Sequence, residues 1–322
     1  SFREYRQDPD LPMPRNSPIF VAYDTGRSQR FHLEEVDLEG EYELLGEFRQ
    51  NGLTDYIVLA LPFSDGSFKA MSFATDRPGG FSPSDLEILH GLRLPLATTI
   101  EVRYLRHLAN LLMETYVGHV AGRRVLNGEI KRGSGENIQA VIWFCDLKGF
   151  TNLSEKLEAP VLIDYLNTYL EIIETAISSQ GGEILKFIGD AVLAIFQTVN
   201  GDEKQTARAA LEGAIRAQNE ISKVNQERLQ QDLPPIACGI GIHYGDVHYG
   251  NVGGMKRLDF TVIGPAVNLA SRLESLTRDL GQSILVSSTI ADLDVGRLKE
   301  LGTFKLKGIE TEEKVFTPEA GS

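Results

Sequence analysis

Apolar positions along this chain fall into two regimes that meet near residue 136. Before it, the runs Ile19 to Tyr23, Glu41 to Glu47, Tyr56 to Leu61 and Phe68 to Ala74 predict short strands, with Ser64-Asp65-Gly66-Ser67 as a hairpin loop between the last two. Pro9, Pro12, Pro14 and Pro18 break the opening stretch, and Pro78-Gly79-Gly80 ends the strand pattern. Ser82-Pro83-Ser84-Asp85 then predicts a helix start, because proline is tolerated in a first turn. From Asp85 to about Tyr116, Leu89, Leu92, Leu96, Ile100, Leu105, Leu108 and Leu112 fall on roughly one helical face, and Pro95 is expected to kink it. This helix reads as a domain cap or as a parallel dimerisation helix that relays a signal.

Residues 117–137 are rich in Gly and Arg and read as a connector. Beyond them, Gln139 to Cys145 is a continuous apolar run, as expected for a strand covered on both faces. Pro160 opens a helix with Leu162, Leu166, Tyr169, Ile173 and Ile177 at helical spacing, ended by Gly181-Gly182. The strands Glu183 to Ile188 and Ala191 to Phe196 are joined by the two-residue turn Gly189-Asp190. A long helix from about Glu203 to Gln231 stops at Pro234-Pro235. Strands at Ile236 to His243, Val247 to Val252 and Phe260 to Ile263 follow, then a helix at Ala266 to Leu276. Strands at Ile284 to Val286, Phe304 to Leu306 and Lys314 to Phe316 close the chain. The fold class expected is α+β: a β-α-β-β-α-β ferredoxin-like domain with appended elements, behind a smaller α/β or mainly β domain.

Composition narrows the function. The 322 residues suit about two domains. Lys and Arg total 32 against 45 Asp and Glu, a formal charge of −13, which argues against broad nucleic-acid coating by counterion release. The same charge admits a phosphate-bearing small molecule if a metal ion and a few placed cations offset the repulsion. Two cysteines, Cys145 and Cys238, lie in apolar strand patterns and cannot form a disulfide framework, so a reduced, cytoplasmic setting is expected. No apolar run reaches the roughly 18 to 20 residues of a membrane span; an anchor upstream of Ser1 is compatible with this reading.

Asp146 ends the buried strand and Asp190 sits in the tight turn of the next hairpin. In a β-α-β-β layout those two positions are neighbours, so the carboxylates can converge on a divalent ion carrying phosphates. Taken alone, Asp190 is equally explained by turn geometry. Four segments in order then resemble the catalytic domain of the class III adenylate and guanylate cyclases, over about residues 136–318: Phe144-Cys-Asp-Leu-Lys-Gly-Phe-Thr151, Leu185-Lys-Phe-Ile-Gly-Asp-Ala-Val192, Gly241-Ile-His-Tyr-Gly-Asp246 and Gly264-Pro-Ala-Val-Asn-Leu-Ala-Ser-Arg272.

The resemblance implies conversion of a nucleoside triphosphate to its 3′,5′-cyclic monophosphate with release of pyrophosphate. It matches Asp146, Asp190 and the Leu147 carbonyl to the ligands of two divalent metal ions, Mg²⁺ or Mn²⁺. It places the backbone of Gly149, Phe150 and Thr151 against the phosphates. Asn268 and Arg272, four apart on one helix, match the residue that orients the ribose and the one that meets the α-phosphate in the transition state. Lys307 matches a triphosphate-gripping lysine, with Lys305 a competing neighbour. Lys186 matches the adenine-reading lysine of adenylate cyclases. Thr261 stands where many of them carry Asp; its hydroxyl still suits an adenine edge, so ATP is expected over GTP. Gly239 departs from members that carry an arginine near the phosphates. His243 and His248 read as structural. The single set of residues implies a homodimer with two shared sites.

Residues 17–110 resemble, more weakly, a GAF-type sensory domain, or a PAS-like one. The cues are Asp65-Gly66, Met71-Ser-Phe-Ala-Thr75 and Phe81-Ser-Pro-Ser-Asp-Leu86 leading into the helix. No cysteine precedes Cys145, which excludes a thioether-linked bilin there, and His32, His90 and His107 read as structural or solvated. The resulting division is a sensory domain over 1–84 with an unidentified regulatory ligand, a helical linker over 85–135 and a catalytic domain over 136–318. The alternatives are a guanylate cyclase or a non-catalytic nucleotide-binding regulator. A diguanylate cyclase would leave Asn268 and Arg272 unexplained.

Overall fold

The computed structural model describes residues 15–34, 42–198 and 201–319. The chain divides into two compact units, Ser1–Ala109 and Asn110–Ser322. The prolines at 9, 12 and 14, and Glu41 of the second expected strand, lie outside the described residues.

In the first unit, α1 (Pro18–Thr25), β1 (Gln29–His32), α2 (Glu43–Gln50), β2 (Asp55–Pro62), β3 (Phe68–Thr75) and most of α3 (Pro83–Val117) surround an antiparallel sheet ordered β1-β2-β3. The segments 19–23 and 43–47, expected as strands, are helical. At α1 the end signals override β-propensity: the Ser17 side chain accepts the Phe20 N–H, Pro18 stands in the first turn and Gly26 closes the helix in the left-handed region. At α2 only Leu45 is buried, with Glu43 in the first turn and Arg49 in the last, which suits the helix dipole. The hairpin of β2 and β3 forms as expected. Both faces of β2 are covered. Tyr56, Val58 and Ala60 pack with Ala22, Phe31 and Leu45, while Ile57, Leu59 and Leu61 pack against Ala97 and its neighbours on α3.

Pro95 lies inside α3 without ending it. The carbonyl it deprives of a partner belongs to Gly91 on an exposed face, where water is available and no Cβ adds to the crowding. Asp55 is fully buried and is held by Arg30 and by the Phe81 N–H. Burial alone would raise its pKa, but these partners outweigh it and keep the carboxyl below its ordinary range. None of the described helices is long and apolar enough to cross a membrane.

The second unit contains α4 (His119–Leu126), β4 (Gly135–Leu147), α5 (Phe150–Ser154), α6 (Ala159–Ser178), β5 (Glu183–Ile188), β6 (Ala191–Gln197) and α7 (Glu203–Gln230). It continues through β7 (Cys238–Gly253), β8 (Leu258–Ile263), α8 (Pro265–Asp279), β9 (Ile284–Ser287), α9 (Ser288–Ala291), β10 (Leu298–Phe304) and β11 (Glu313–Pro318). The sheet runs β10-β11-β9-β7-β4-β6-β5, with β8 added to β7. Its central strands β7-β4-β6-β5 are antiparallel and are joined through α6 and α7, the β-α-β-β-α-β arrangement expected.

Two expected strands, 236–243 and 247–252, are one. Tyr244-Gly245-Asp246 reads as a break in sequence, yet it pairs with Val141, Ala140 and Gln139 of β4 without interruption. The strand expected at Phe304 to Leu306 instead ends at Phe304, and the connector holds α4. Along β4, Val141, Trp143 and Cys145 face a core built with α6 and α7, and Ala140 and Ile142 face a second core. Helix α8 lies directly on β7 because two residues there lack side chains. A Cβ on Gly239 would stand 2.1 Å from Thr277 Oγ1, and one on Gly241 would stand 2.2 Å from the Ala270 carbonyl oxygen. The arginine that Gly239 replaces relative to some cyclases has no room here.

Candidate active site

The sheet register brings Asp146 and Asp190 together. Cys145 pairs with Val192, so the next residue along β4 reaches the turn that precedes β6. Gly189 adopts φ 65° there, a left-handed conformation that glycine takes without strain and that keeps the turn to two residues. Asp146 and Asp190 are close enough for the charge of one to disfavour ionisation of the other. Burial, and then the Asp190 charge, push Asp146 up to about 6, while Arg278 acts in the opposite direction.

Arg278, in the last turn of α8, points its guanidinium at this pair. Nη2 is 3.4 Å from the Leu147 carbonyl oxygen and 3.7 Å from Asp146 Oδ2. One turn earlier, Glu274 is buried, and burial followed by the Asp146 charge raises it to about 7. Lys148 donates to the Gln282 carbonyl at 2.9 Å, and burial lowers its pKa. Two carboxylates sharing charge, plus a strand-end carbonyl already attracting a cation, are a hard-oxygen donor set. That suits Mg²⁺ or Mn²⁺, which needs only one or two carboxylates when substrate phosphates and water complete its shell. Among the described residues no group of three or more His, Cys, Asp and Glu gathers as a denser metal cluster.

A second group forms between β5 and β8. Lys186 Nζ lies 3.1 Å from Asp259 Oδ2. Thr261, two residues further along β8, shares the face of Asp259, opposite Phe260 and Val262 in the core. Thr261 is buried and its Oγ1 is without a hydrogen-bond partner. A buried hydroxyl beside an ion pair is an unsatisfied polar position that a ligand edge could complete.

The remaining expected residues lie on α8, on the segment after β10 and at the start of α5. Asn268 and Arg272 are exposed on α8, on the side away from Ala270, Leu273 and Glu274, and among the described residues neither has a hydrogen-bond or ion-pair partner. Lys305 and Lys307 are exposed in the segment after β10. Gly149 caps α5 in a left-handed conformation, with Phe150 and Thr151 opening that short helix. His243 is structural: it contacts Ser287 Oγ at 2.9 Å, and burial lowers its pKa to about 4. His248 pairs with Asn137 at 3.0 Å.

Sequence reasoning passed over Asp259, Glu274 and Arg278. Asp259 was detectable as the same-face neighbour of Thr261 on a strand. Glu274 and Arg278 are four apart on the helix already singled out for Asn268 and Arg272, one face round from them.

Residues 134–317 match the family described as adenylate and guanylate cyclase catalytic domain. The chain is 39% identical to an adenylate cyclase of Anabaena cylindrica over 204 residues, which is 62% of this chain and 38% of that protein. It thus spans well under half the length of the curated relatives it matches. Among solved structures, the adenylyl cyclase CyaB from P. aeruginosa is similar over 57% of this chain and 94% of its own, with a TM-score of 0.52 and 33% identity. The guanylyl cyclase Cya2 is similar over 56% of this chain and 92% of its own, with a TM-score of 0.50 and 31% identity.

Proposed function

The chain belongs to the family of adenylate and guanylate cyclase catalytic domains, and we propose that it converts ATP to 3′,5′-cyclic AMP and pyrophosphate at sites shared by two copies of itself. The observation that carries this reading is the Asp146–Asp190 pair at the end of β4, with the Leu147 carbonyl beside it. Asp146, Asp190 and Leu147 would hold two divalent ions, Mg²⁺ or Mn²⁺. Those ions, when bound, would make the ribose 3′-hydroxyl a stronger nucleophile and neutralise the β- and γ-phosphates.

The protein's own groups do the rest. Lys186, a donor with no acceptor capacity, suits a ring nitrogen of adenine, and Asp259 holds its ammonium in place. The Thr261 hydroxyl supplies a second polar contact to the base edge. Gly149, Phe150 and Thr151 present backbone to the phosphates. Asn268 orients the ribose. Arg272 meets the charge that builds on the α-phosphate as the pentacoordinate centre forms, and Lys307 grips the triphosphate. Asn268 and Arg272 are exposed on α8 while the carboxylates are gathered at the end of β4, which favours completion of each site by a second chain. The same residues in a GTP-specific enzyme would have to accept from the guanine N–H groups, and Lys186 cannot.

The domain reading carried forward is a sensory domain of GAF or PAS type over 1–84, a linker over 85–135 and a catalytic domain over 136–318. Exposed Ile88, Leu92, Leu105 and Leu112 on α3 support a helix that meets its twin in a dimer. The N-terminal unit would regulate by binding an unidentified ligand better in one dimer geometry than in the other. The chain would act in the cytoplasm.

The test is purified protein with ATP or GTP and Mg²⁺ or Mn²⁺, the products separated by chromatography. Cyclic AMP that disappears in Asp190→Asn is the expected result. Nucleotide binding without product under either metal would favour a non-catalytic regulator, and cyclic GMP as the sole product would move the substrate to GTP.

A further inference from the structure

Arg278 contacts two of the oxygens assigned to the metal. Its Nη2 lies near both the Leu147 carbonyl oxygen and Asp146 Oδ2, at 3.4 and 3.7 Å. A lone arginine in the last turn of a helix has an ordinary explanation, since positive charge is favoured at that end. That explanation does not select a direction, and Glu274, four residues earlier on α8, offers a carboxylate on the same helix. The guanidinium instead crosses from α8 to the end of β4.

We infer that Arg278 is an internal stand-in for the divalent ion: in the nucleotide-free protein its guanidinium bridges Leu147 and Asp146, and metal binding displaces it. Three features make the exchange workable. A single charged nitrogen, Nη2, addresses both oxygens at once. Both separations are long for hydrogen bonds, so the cation is loosely held. Its side chain is 57% exposed, so it can retreat into water without crossing the core. While it stays, it offsets the mutual repulsion of Asp146 and Asp190 and keeps the carboxylates gathered. It is a positioning residue for the metal ligands, and it competes with the ion it prepares for. The identity of the ion rests on the cyclase reading; the exchange itself does not.

The experiment titrates Mn²⁺ into the nucleotide-free full chain and reads free Mn²⁺ by electron paramagnetic resonance, for the parent, Arg278→Gln and Arg278→Lys. Asp146→Asn serves as the control that removes the site, and thermal melts report folding. An exposed ion pair of this kind sets the expected scale: Arg278→Gln binds Mn²⁺ roughly two- to fivefold more tightly than the parent. Arg278→Lys keeps the charge but its ammonium ends one bond short of the Nη2 position that meets both oxygens, and it is expected to tighten binding likewise. Unchanged or weaker binding in Arg278→Gln overturns the inference. So does an Arg278→Lys variant that matches the parent while Arg278→Gln tightens, because charge at a distance would then suffice. Mn²⁺ binding that survives Asp146→Asn also overturns it. A chain that exchanges Arg278 for Mn²⁺ yet makes no cyclic nucleotide would sink the cyclase reading and leave this one standing.

Discussion

At the end of β4 the proposed metal-binding groups feel one another's charge, whereas on α8 the proposed ribose and transition-state groups are exposed. Asp146 is paired with Gly239 of β7 one residue beyond the end of the β4–β6 pairing, and it feels the charges of Asp190, Arg278 and Glu274 nearby. Asn268 and Arg272 sit on the outward side of a helix whose inward side is clamped to β7 through Gly239 and Gly241. The carboxylate region is finished by the fold of one chain and shows the perturbed acidities of a preorganised site. Among the described residues, the Asn268 and Arg272 side chains on α8 have no hydrogen-bond or ion-pair partner. On the proposed reading, a site divided this way would gain its second half by association, and dimerisation would be a condition of the chemistry.

The contrast can be broken most severely at the finished end. Asp190→Asn removes a metal-ligating charge where several kcal/mol of charge stabilisation are expected; product formation should fall about a thousandfold or more, measured as cyclic nucleotide per enzyme, with little change in melting temperature. Next in size is Lys186→Glu, on β5 beside Asp259. It sets a carboxylate against Asp259 and reverses the hydrogen bonding offered to the base, so kcat/KM for ATP should drop about a hundredfold or more. Steady-state kinetics with ATP and GTP would check this, and an unchanged ATP value would remove Lys186 from base recognition.

A smaller effect tests the clamp that aims α8. Gly239→Ala puts a methyl 2.1 Å from the buried Thr277 hydroxyl, an overpacking expected to cost about 1–3 kcal/mol. For a unit of this size that is about 2–4 °C of melting temperature per kcal/mol. The smallest effect is in pH. Asp146 and Glu274 are raised to about 6 and about 7 in the folded chain, so between their ordinary acid range and those values the folded state holds more protons than the unfolded one. Their contribution to stability is therefore largest below the unfolded pKa and is lost as pH rises to about 7. A divalent ion held by Asp146 needs that carboxylate ionised, so the melting-point gain from Mg²⁺ should grow from pH 5 to pH 7.5, and a gain independent of pH would contradict the assignment.

How much of this was legible beforehand follows the same division. The strand Gln139 to Cys145, the Gly189-Asp190 turn and the spacing of Asn268 and Arg272 are local signals, and the β-α-β-β order was enough to make the two aspartates neighbours. The N-terminal unit was harder. Residues 19–23 look like strand by β-branched and aromatic content, but Ser17, Pro18 and Gly26 make that segment a helix. Tyr244-Gly245-Asp246 reads as a turn until β4 is laid beside it. Arg278, Glu274 and Asp259 matter through contacts that cross between elements, and the departure at Gly239 is explained by the closeness of Thr277. Such relations depend on packing, which a periodicity count does not contain.

The division of the site between two chains is tested most directly by mixing Asp146→Ala and Arg272→Ala chains, each inactive alone, and assaying cyclic AMP. Random pairing makes about half of the dimers mixed, each with one intact site of two, so recovery to about a quarter of parental activity is expected. No recovery, with mixed dimers demonstrated in the sample, would contradict the shared site.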